Sequence, residues 1–333
     1  MQTSRRRGTS PRPRTLRSVV ILDSSMADLS IIVAARDARP YIERTLGALS
    51  ATGHELIVVD CASADGTAAF VRDRFAGVRL VELDVNPGYG SALNEGVRFA
   101  SGGYFLLMNA DAWPLSGAVE QLVAFADAEP SAGAVGPRLL NPDRSLQRSV
   151  RGFPTLWRLA TEYFFLRWLA PRSRLVNAYY GAGFDHDSVT DAEFLVGAVL
   201  LMRRQAFEDV GGFDPSFFMF NEEVDLCYRL RRRGWRVVFF PGAEFIHMGG
   251  ASTRLDLPRM YCEQLRSHVR FLRKHYGLRR ADQGRRLLLW AMRLRALVFH
   301  GERRRLSREA AEWLAAGGDV ATLLDPPMDR LPD

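Results

Sequence analysis

The 333-residue sequence predicts an α/β protein with a mostly parallel central sheet, helices on both faces and a helical C-terminal extension. Three observations predict it. Strand-sized apolar runs alternate with helix-spaced segments between Leu29 and Asp111, as parallel strands joined by crossover helices require. The first run, Leu29 to Ala34, is apolar without alternation, as expected of a strand covered on both faces. Two of the runs lead into a carboxylate, Asp60 and Asp111, and such sheets bind ligands beyond the C-terminal ends of their strands.

The elements follow in order. Pro40 to Ser50 has helical spacing, with Pro40 preset for a first turn. Leu56 to Val59 is the second strand and ends at Asp60; Asp65 to Phe75 is the second helix. Val78 to Leu83, Tyr89 to Ala100 and Tyr104 to Met108 continue as strand, helix and strand, the last running into Asn109 and Asp111. Beyond Pro137 the pattern loosens into Arg, Pro and aromatic residues until Phe194 to Met202, read as one strand. Arg203 to Val210 is a short helix closed by Gly211 and Gly212. Glu222 to Arg233 is a helix whose first-turn acids and last-turn arginines match its dipole. Gly234 ends it, Trp235 to Phe240 is a strand, and from Tyr261 the chain is helical and strongly basic. The expected divisions are a disordered basic tail (1–26), an α/β half (27–137), a second half (138–255) and a helical extension (256–333).

Composition narrows the class. Charged residues are 25% and hydrophobic ones 47% of the chain, ordinary for a soluble globular protein. No apolar run approaches the ~18 residues of a spanning helix. Val19 to Leu22 is too short a core for a secretory signal, and Met26 is an alternative start. Cys61, Cys227 and Cys262 lack metal-ligand spacing, which fits free thiols in the cytoplasm. The net charge of +7 is concentrated at the ends, with thirteen Lys or Arg against two acids over residues 266–305. Basic ends suit a polyanionic surface, or solubility alone. Nothing reads as a base-stacking or groove-reading motif, so no nucleic-acid partner is expected.

Three segments carry chemistry. In VVDCASADGT, Asp60 at a strand end is placed to bond a ribose or base edge, or to cap its own turn. A dinucleotide site is disfavoured, because the first strand leads into Ala34-Ala35-Arg36-Asp37 with none of the glycines of that fingerprint. In NPGYGSALNEGVRFASGGYFLLMNAD, Gly88 and Gly90 allow close backbone approach at a helix start, and Asn94 stands one turn further on. Asp111 offers a hard oxygen to a divalent cation bridging two phosphates, with substrate completing the shell. In FFMFNEEVDLCYRLRRRGW, Glu222, Glu223 and Asp225 crowd three carboxylates into one helical turn. Like charges raise one another's pKa, so the crowding fits a general base; solvated acids at a helix N-terminus would look the same. His247, after the next strand, stands where it reaches back towards the cation.

In order, VVDCASADGT, NPGYGSALNEG, LLMNAD, GPRLLNPDRSLQRS, FLVGAVLLMRRQAFEDVGGFD, EEVDLCYRLRRRGW and HMGGAS resemble the family 2 inverting glycosyltransferases, above all their bacterial rhamnosyltransferase branch. The resemblance covers residues 28–255 and implies a nucleotide-diphospho-sugar transferase (GT-A-like) fold. It makes 27–137 the nucleotide-sugar half and 138–255 the acceptor-binding and catalytic half. Ala34, Arg36, Asp60, Asn86, Gly88, Asn94 and Asn109 are then donor-binding positions, with Asp60 on the base or ribose. Ala34 to Arg36 departs from the polar turn usual there. Asn109 and Asp111 match the family's Asp-x-Asp element, Asn109 replacing its first Asp; Asp111 and His247 are the implied ligands of Mg2+ or Mn2+. Glu222 and Glu223 match a Glu-Asp pair whose second member is the usual base, so Glu223 stands where Asp is typical, with Glu222 as the alternative. The implied donor is dTDP-rhamnose, with UDP-sugars including galactofuranose next, and the acceptor a glycan or lipid-linked saccharide. A non-catalytic nucleotide-sugar-binding protein would keep the fold without needing the carboxylates.

Arg148, Arg151, Arg158 and the aromatics between Phe153 and Trp168 are expected to line an acceptor cleft or to pack a small helical subdomain. Arg285 to Phe299 interleaves Leu287, Leu288, Trp290, Leu294, Leu297 and Val298 with Arg286, Arg293 and Arg295. Such a helix suits the anionic inner face of a plasma membrane; docking on the catalytic domain and a homodimer contact are the competing uses.

Overall fold

The unalternating apolar run at the start is β1 (Leu29–Ala35), and its two faces feed two separate cores. The computed structural model describes residues 29–170, 173, 175–177, 179, 184–249, 257–316 and 323; the tail expected over 1–26 and the end of the HMGGAS segment lie outside them. The remaining strands are β2 (Glu55–Cys61), β3 (Arg79–Leu83), β4 (Tyr104–Asn109), β5 (Ala112–Pro114), β6 (Ala132–Leu140), β7 (Leu146–Gln147), β8 (Val150–Arg151), β9 (Thr190–Asp191), β10 (Phe194–Leu195), β11 (Val199–Arg203) and β12 (Arg236–His247). The helices are α1 (Arg39–Ser50), α2 (Thr67–Arg74), α3 (Tyr89–Val97), α4 (Ala118–Ala128), α5 (Leu156–Tyr163), α6 (Leu166–Leu169), α7 (Arg204–Asp209), α8 (Glu222–Arg232), α9 (Leu257–Tyr276), α10 (Leu278–Val298) and α11 (Gly301–Ala316).

The main sheet runs β3-β2-β1-β4-β11-β6-β12-β5. The four strands of the alternating region are parallel, as their crossover helices demand. Beyond β4 the sheet is mixed: β11 runs antiparallel to both β4 and β6, and β12 runs parallel to β6. The expected division at 137 falls inside β6, so both halves share one sheet. Ile31 and Val33 face α1 and α4 through Leu46, Leu49 and Leu122, whereas Ile32 faces α3, α7 and α8 through Leu93, Phe207 and Leu226. Each fully buried side chain of this size contributes about 1.5–3 kcal/mol. A third core joins α5, α9, α10 and α11 around Leu159, Leu265, Leu288 and Leu314.

One expected strand is broken. Phe194 to Met202 divides into β10, which pairs with β8, and β11 in the main sheet. The bend lies at Gly197, where an added Cβ would stand 3.2 Å from the Glu223 Cβ; the break lets α8 approach the sheet.

Helix α9 is clamped to α8 by charge. Asp225 is fully buried and takes bonds from Arg229 Nε (2.7 Å), Lys274 Nζ (2.7 Å) and His275 Nε2 (2.7 Å). Burial alone would raise its pKa, but the His275 bond and the Arg229 and Lys274 charges outweigh it and hold the carboxyl below its ordinary value. Asp225→Ala removes the shared partner of Arg229, Lys274 and His275 and is expected to cost about 1–3 kcal/mol, read as a lower urea midpoint at unchanged slope. Arg295, expected on the outer basic face of α10, instead turns inward. Its guanidinium caps the last carbonyls of α5, at Tyr163 (2.9 Å) and Glu162 (3.0 Å), which a helix end leaves unsatisfied.

Candidate active site

Parallel register brings the strand-end residues to one rim: Ala35 lies opposite Asp60, and Ala34 opposite Asn109. Asp60 is buried, and Oδ2 accepts a bond from the Ser63 backbone N–H (2.9 Å) while Oδ1 has no partner among the described residues. Leaving such an atom unpaired costs about 1–3 kcal/mol. Asp60 thus caps its turn with one oxygen and keeps the other buried at the end of β2. Arg36 folds over the neighbouring loop, where Nη1 donates to the carbonyls of Cys61 (2.6 Å) and Ala62.

Asn86 follows the C-terminal end of β3, whereas Gly88 and Asn94 are engaged in the wall between α3 and the segment leading into α8. Asn86 is exposed and accepts a bond from the Gly88 N–H (3.1 Å). Gly88 has φ +91°, and an added Cβ would stand 2.1 Å from the Phe218 carbonyl oxygen, so its close approach is to the protein's own backbone. Asn94 spends its amide on Phe213, donating to the carbonyl (2.9 Å) and accepting from the N–H (3.0 Å).

The cation ligands expected from sequence do meet. Asp111, just past β4, and His247, at the end of β12, are both buried, with Asp111 Oδ1 3.4 Å from His247 Nε2. A side chain the sequence reading passed over fixes the imidazole. Gln147 Nε2 donates to Asn141 Oδ1 (3.0 Å) and to the His247 carbonyl (3.2 Å), which leaves Gln147 Oε1 as acceptor. His247 Nδ1 therefore carries the proton and donates to Oε1 (2.7 Å), and Nε2 keeps its lone pair towards Asn109 (3.1 Å) and Asp111. Gln147 belongs to GPRLLNPDRSLQRS, but nothing in the sequence shows which partner its amide would find. Two lone-pair atoms facing each other suit a cation between them, and neighbouring ligands of an octahedral ion at ~2.1 Å stand about 3 Å apart. A carboxylate oxygen with an imidazole nitrogen is a donor set Mn2+ or Mg2+ accepts. Among the described residues no third His, Cys, Asp or Glu joins them, which leaves positions for substrate oxygens.

The carboxylate pair opens α8. It follows Phe220 (φ 64°) and Asn221 (φ 62°), two consecutive left-handed residues with side chains. Each costs about 1–3 kcal/mol, and such strain gathers at functional sites. Glu222 is buried and Glu223 half-buried, each with Oε2 unpartnered among the described residues. Burial, then the Glu223 and Glu263 charges, push Glu222 well above its ordinary pKa; burial also raises Glu223, with Arg151 opposing. Asp225, the third acid of the turn, points away into its clamp with α9, so the expected triple crowding is a pair. The Tyr89 hydroxyl donates to the Gly197 carbonyl (2.7 Å), and its pKa is raised by burial and then by Glu222, Glu223 and Asp111 together. Tyr89 therefore lies near Glu222, Glu223 and Asp111 alike. Arg158, expected in an acceptor cleft, is held by both oxygens of Glu193 (2.6 Å each), whereas Arg148 is exposed with no ion-pair partner among the described residues.

A parallel strand rim carrying Asp60 and Asp111, closed by an antiparallel strand and an acid-headed helix, defines a GT-A-like fold. The chain belongs to glycosyl transferase family 2, whose pattern matches residues 30–211. It is 32% identical over 280 residues to the N-acetylglucosaminyl-diphospho-decaprenol L-rhamnosyltransferase of Mycobacterium tuberculosis, covering 80% of this chain and 89% of the relative. Rhamnosyltransferase WbbL of Escherichia coli is 33% identical over 85 residues, 26% of this chain and 32% of that protein. Among solved structures, GalNAc-T7 with UDP, GalNAc and Mn2+ superposes with a TM-score of 0.55 at 14% identity, covering 92% of this chain and 59% of the other. The mannosyltransferase PcManGT of Pyrobaculum calidifontis, with GDP-Man and Mn2+, gives 0.51 at 17% identity over 91% and 87% of the two chains.

Proposed function

We propose that the chain is an inverting, cation-assisted glycosyltransferase that moves rhamnose from dTDP-rhamnose to a hydroxyl of a lipid-linked saccharide of the cell envelope. One observation carries the chemistry: Asp111, paired with His247, and the carboxylates of Glu222 and Glu223 all lie close enough to Tyr89 to act on its hydroxyl. The extended similarity to an enzyme named for rhamnosyl transfer to a lipid-diphospho-sugar supports the choice of donor and acceptor.

Asp60 Oδ1 accepts from the base or ribose of the donor. Asp111 and His247 would hold Mg2+ or Mn2+, which supplies positive charge to the departing diphosphate. Glu223, the more accessible acid, takes the acceptor hydroxyl proton as that oxygen bonds to the anomeric carbon and the bond to phosphate breaks. A carboxylate is a weak base for an alcohol, so proton transfer accompanies bond formation. One displacement inverts the anomeric centre. In this reading the exposed Arg148, and Arg151 with its charge acting on Glu223, are the guanidinium groups that suit a lipid diphosphate.

Thermal unfolding with dTDP- and UDP-sugars and Mn2+ tests the donor. A ligand at about 100 times its Kd adds roughly 2.7 kcal/mol to the folded state. Protection by dTDP-rhamnose is expected; protection by a UDP-sugar alone would keep the enzyme class and overturn the rhamnose assignment.

Among the described residues no helix is long and apolar enough to cross a membrane. Helix α10 packs through Leu288, Ala291 and Met292 and leaves Trp290, Leu294, Leu297 and Val298 outward, beside the exposed Arg293. This apolar face with its basic rim is the membrane-binding surface in our reading, since it pairs acyl contact with charge complementarity to anionic lipid. Sedimentation with phosphatidylglycerol vesicles is expected to fall several-fold in a Trp290→Ser/Leu297→Ser variant. Unchanged sedimentation, or loss of a dimer in light scattering, would assign the face elsewhere.

A further inference from the structure

The turn that aims Glu222 and Glu223 is held by α9, the first helix of the C-terminal extension. Phe220 and Asn221 are both left-handed, a state that persists only where its surroundings enforce it. Among the described residues, the side-chain hydrogen bonds on this turn run to α9. Asn221 Nδ2 donates to His268 Nδ1 at 2.9 Å, with both residues buried. Ser267 Oγ donates to the Met219 carbonyl at 2.9 Å. The His268 ring is fixed edge-on by Tyr163 (5.9 Å) and Tyr179 (6.2 Å), so it presents Nδ1 in one direction.

We propose that Ser267 and His268 of α9 are positioning residues: through the Met219 carbonyl and the Asn221 amide they hold the strained turn that fixes the carboxylate pair. Burial keeps His268 neutral by lowering its pKa to about 4, so the Nδ1 lone pair is available at any working pH. The C-terminal helices are then part of the catalytic unit. The kinetic part of this inference rests on Glu222 and Glu223 acting as proposed above; the structural part does not.

The test compares His268→Leu, which keeps bulk and loses the acceptor, with His268→Asn, whose Oδ1 stands near the lost Nδ1. Amide hydrogen exchange over residues 218–224 is expected to quicken about tenfold or more in His268→Leu while β1 and β4 stay protected. With dTDP-rhamnose as probe, kcat should fall about tenfold or more while the Kd for dTDP with Mn2+ stays unchanged. His268→Asn should restore both. Unchanged exchange over 218–224 in the Leu variant, or an Asn variant no better than Leu, overturns the proposal. If His268→Leu does not fold, Ser267→Ala makes the same comparison with a smaller deletion, and parental exchange there overturns it equally. If the parent transfers no rhamnose, the exchange results still decide the clamp, and the failure belongs to the glycosyl-transfer reading.

Discussion

Asp111→Ala is expected to lower sugar transfer about 10³-fold or more and to remove the Mn2+-dependent part of nucleotide-sugar protection. The magnitude follows from what remains. Without the Asp111 oxygen, the His247 ring keeps the Asn109 amide beside its Nε2 but no paired carboxylate to balance a divalent charge brought next to a diphosphate. Asp111→Asn keeps the shape and loses the charge, so it should fall between parent and Ala. Gln147→Leu tests the same site one step further out. It frees His247 to rotate or exchange tautomers, and loss of such an outer partner typically costs about 10–100-fold in metal affinity. Calorimetric titration of Mn2+ into protein with dTDP reads these variants without turnover. Parental Mn2+ affinity in Asp111→Ala would put the cation elsewhere.

The parallel half of the fold and most of this rim were legible in the sequence for one reason: a run of apolar residues fixes a strand, and a parallel sheet aligns its strand ends. Asp60, Asn109 and Asp111 could be placed together without knowing any contact, and β12 delivers His247 to them from far along the chain. Side chains whose task is to hold another group were not legible. Gly88 and Asn94 read as ligand-facing because glycine and a polar residue at a helix start look alike whether the neighbour is a phosphate or, as here, the backbone of Phe218 and Phe213. Asp225 read as a third member of an acid cluster, since spacing alone does not show that Lys274 and His275 reach it from α9. The break at Gly197 was hidden because Phe194 to Met202 stays apolar through the bend. Charge patterning likewise misplaced Arg295, whose guanidinium serves the end of α5.

Glu223→Gln is expected to reduce kcat by about 10²–10⁴-fold and to leave donor binding intact, because the lost group acts on the acceptor proton. The two acids are separable by environment. Glu222 is the more deeply buried, and its pKa is driven well above the ordinary range by burial and then by the Glu223 charge. Its raised folded pKa means the native state binds more protons than the unfolded chain. Its contribution to stability is therefore fully present below the unfolded value, near ~4.3, and declines as pH rises through the folded pKa. Glu222→Gln removes that penalty, so its Tm should exceed the parent's at neutral pH and match it in acid. Glu223 is raised too, which places the acid limb of the rate profile above the ordinary glutamate range, with activity falling as pH drops through it. Glu222→Gln should leave that limb in place, since burial rather than a Glu222 charge raises the Glu223 pKa, whereas Glu223→Gln should abolish it. A surviving limb in Glu223→Gln together with an inactive Glu222→Gln would exchange the two roles, because the residue that titrates with activity is the one that takes the proton.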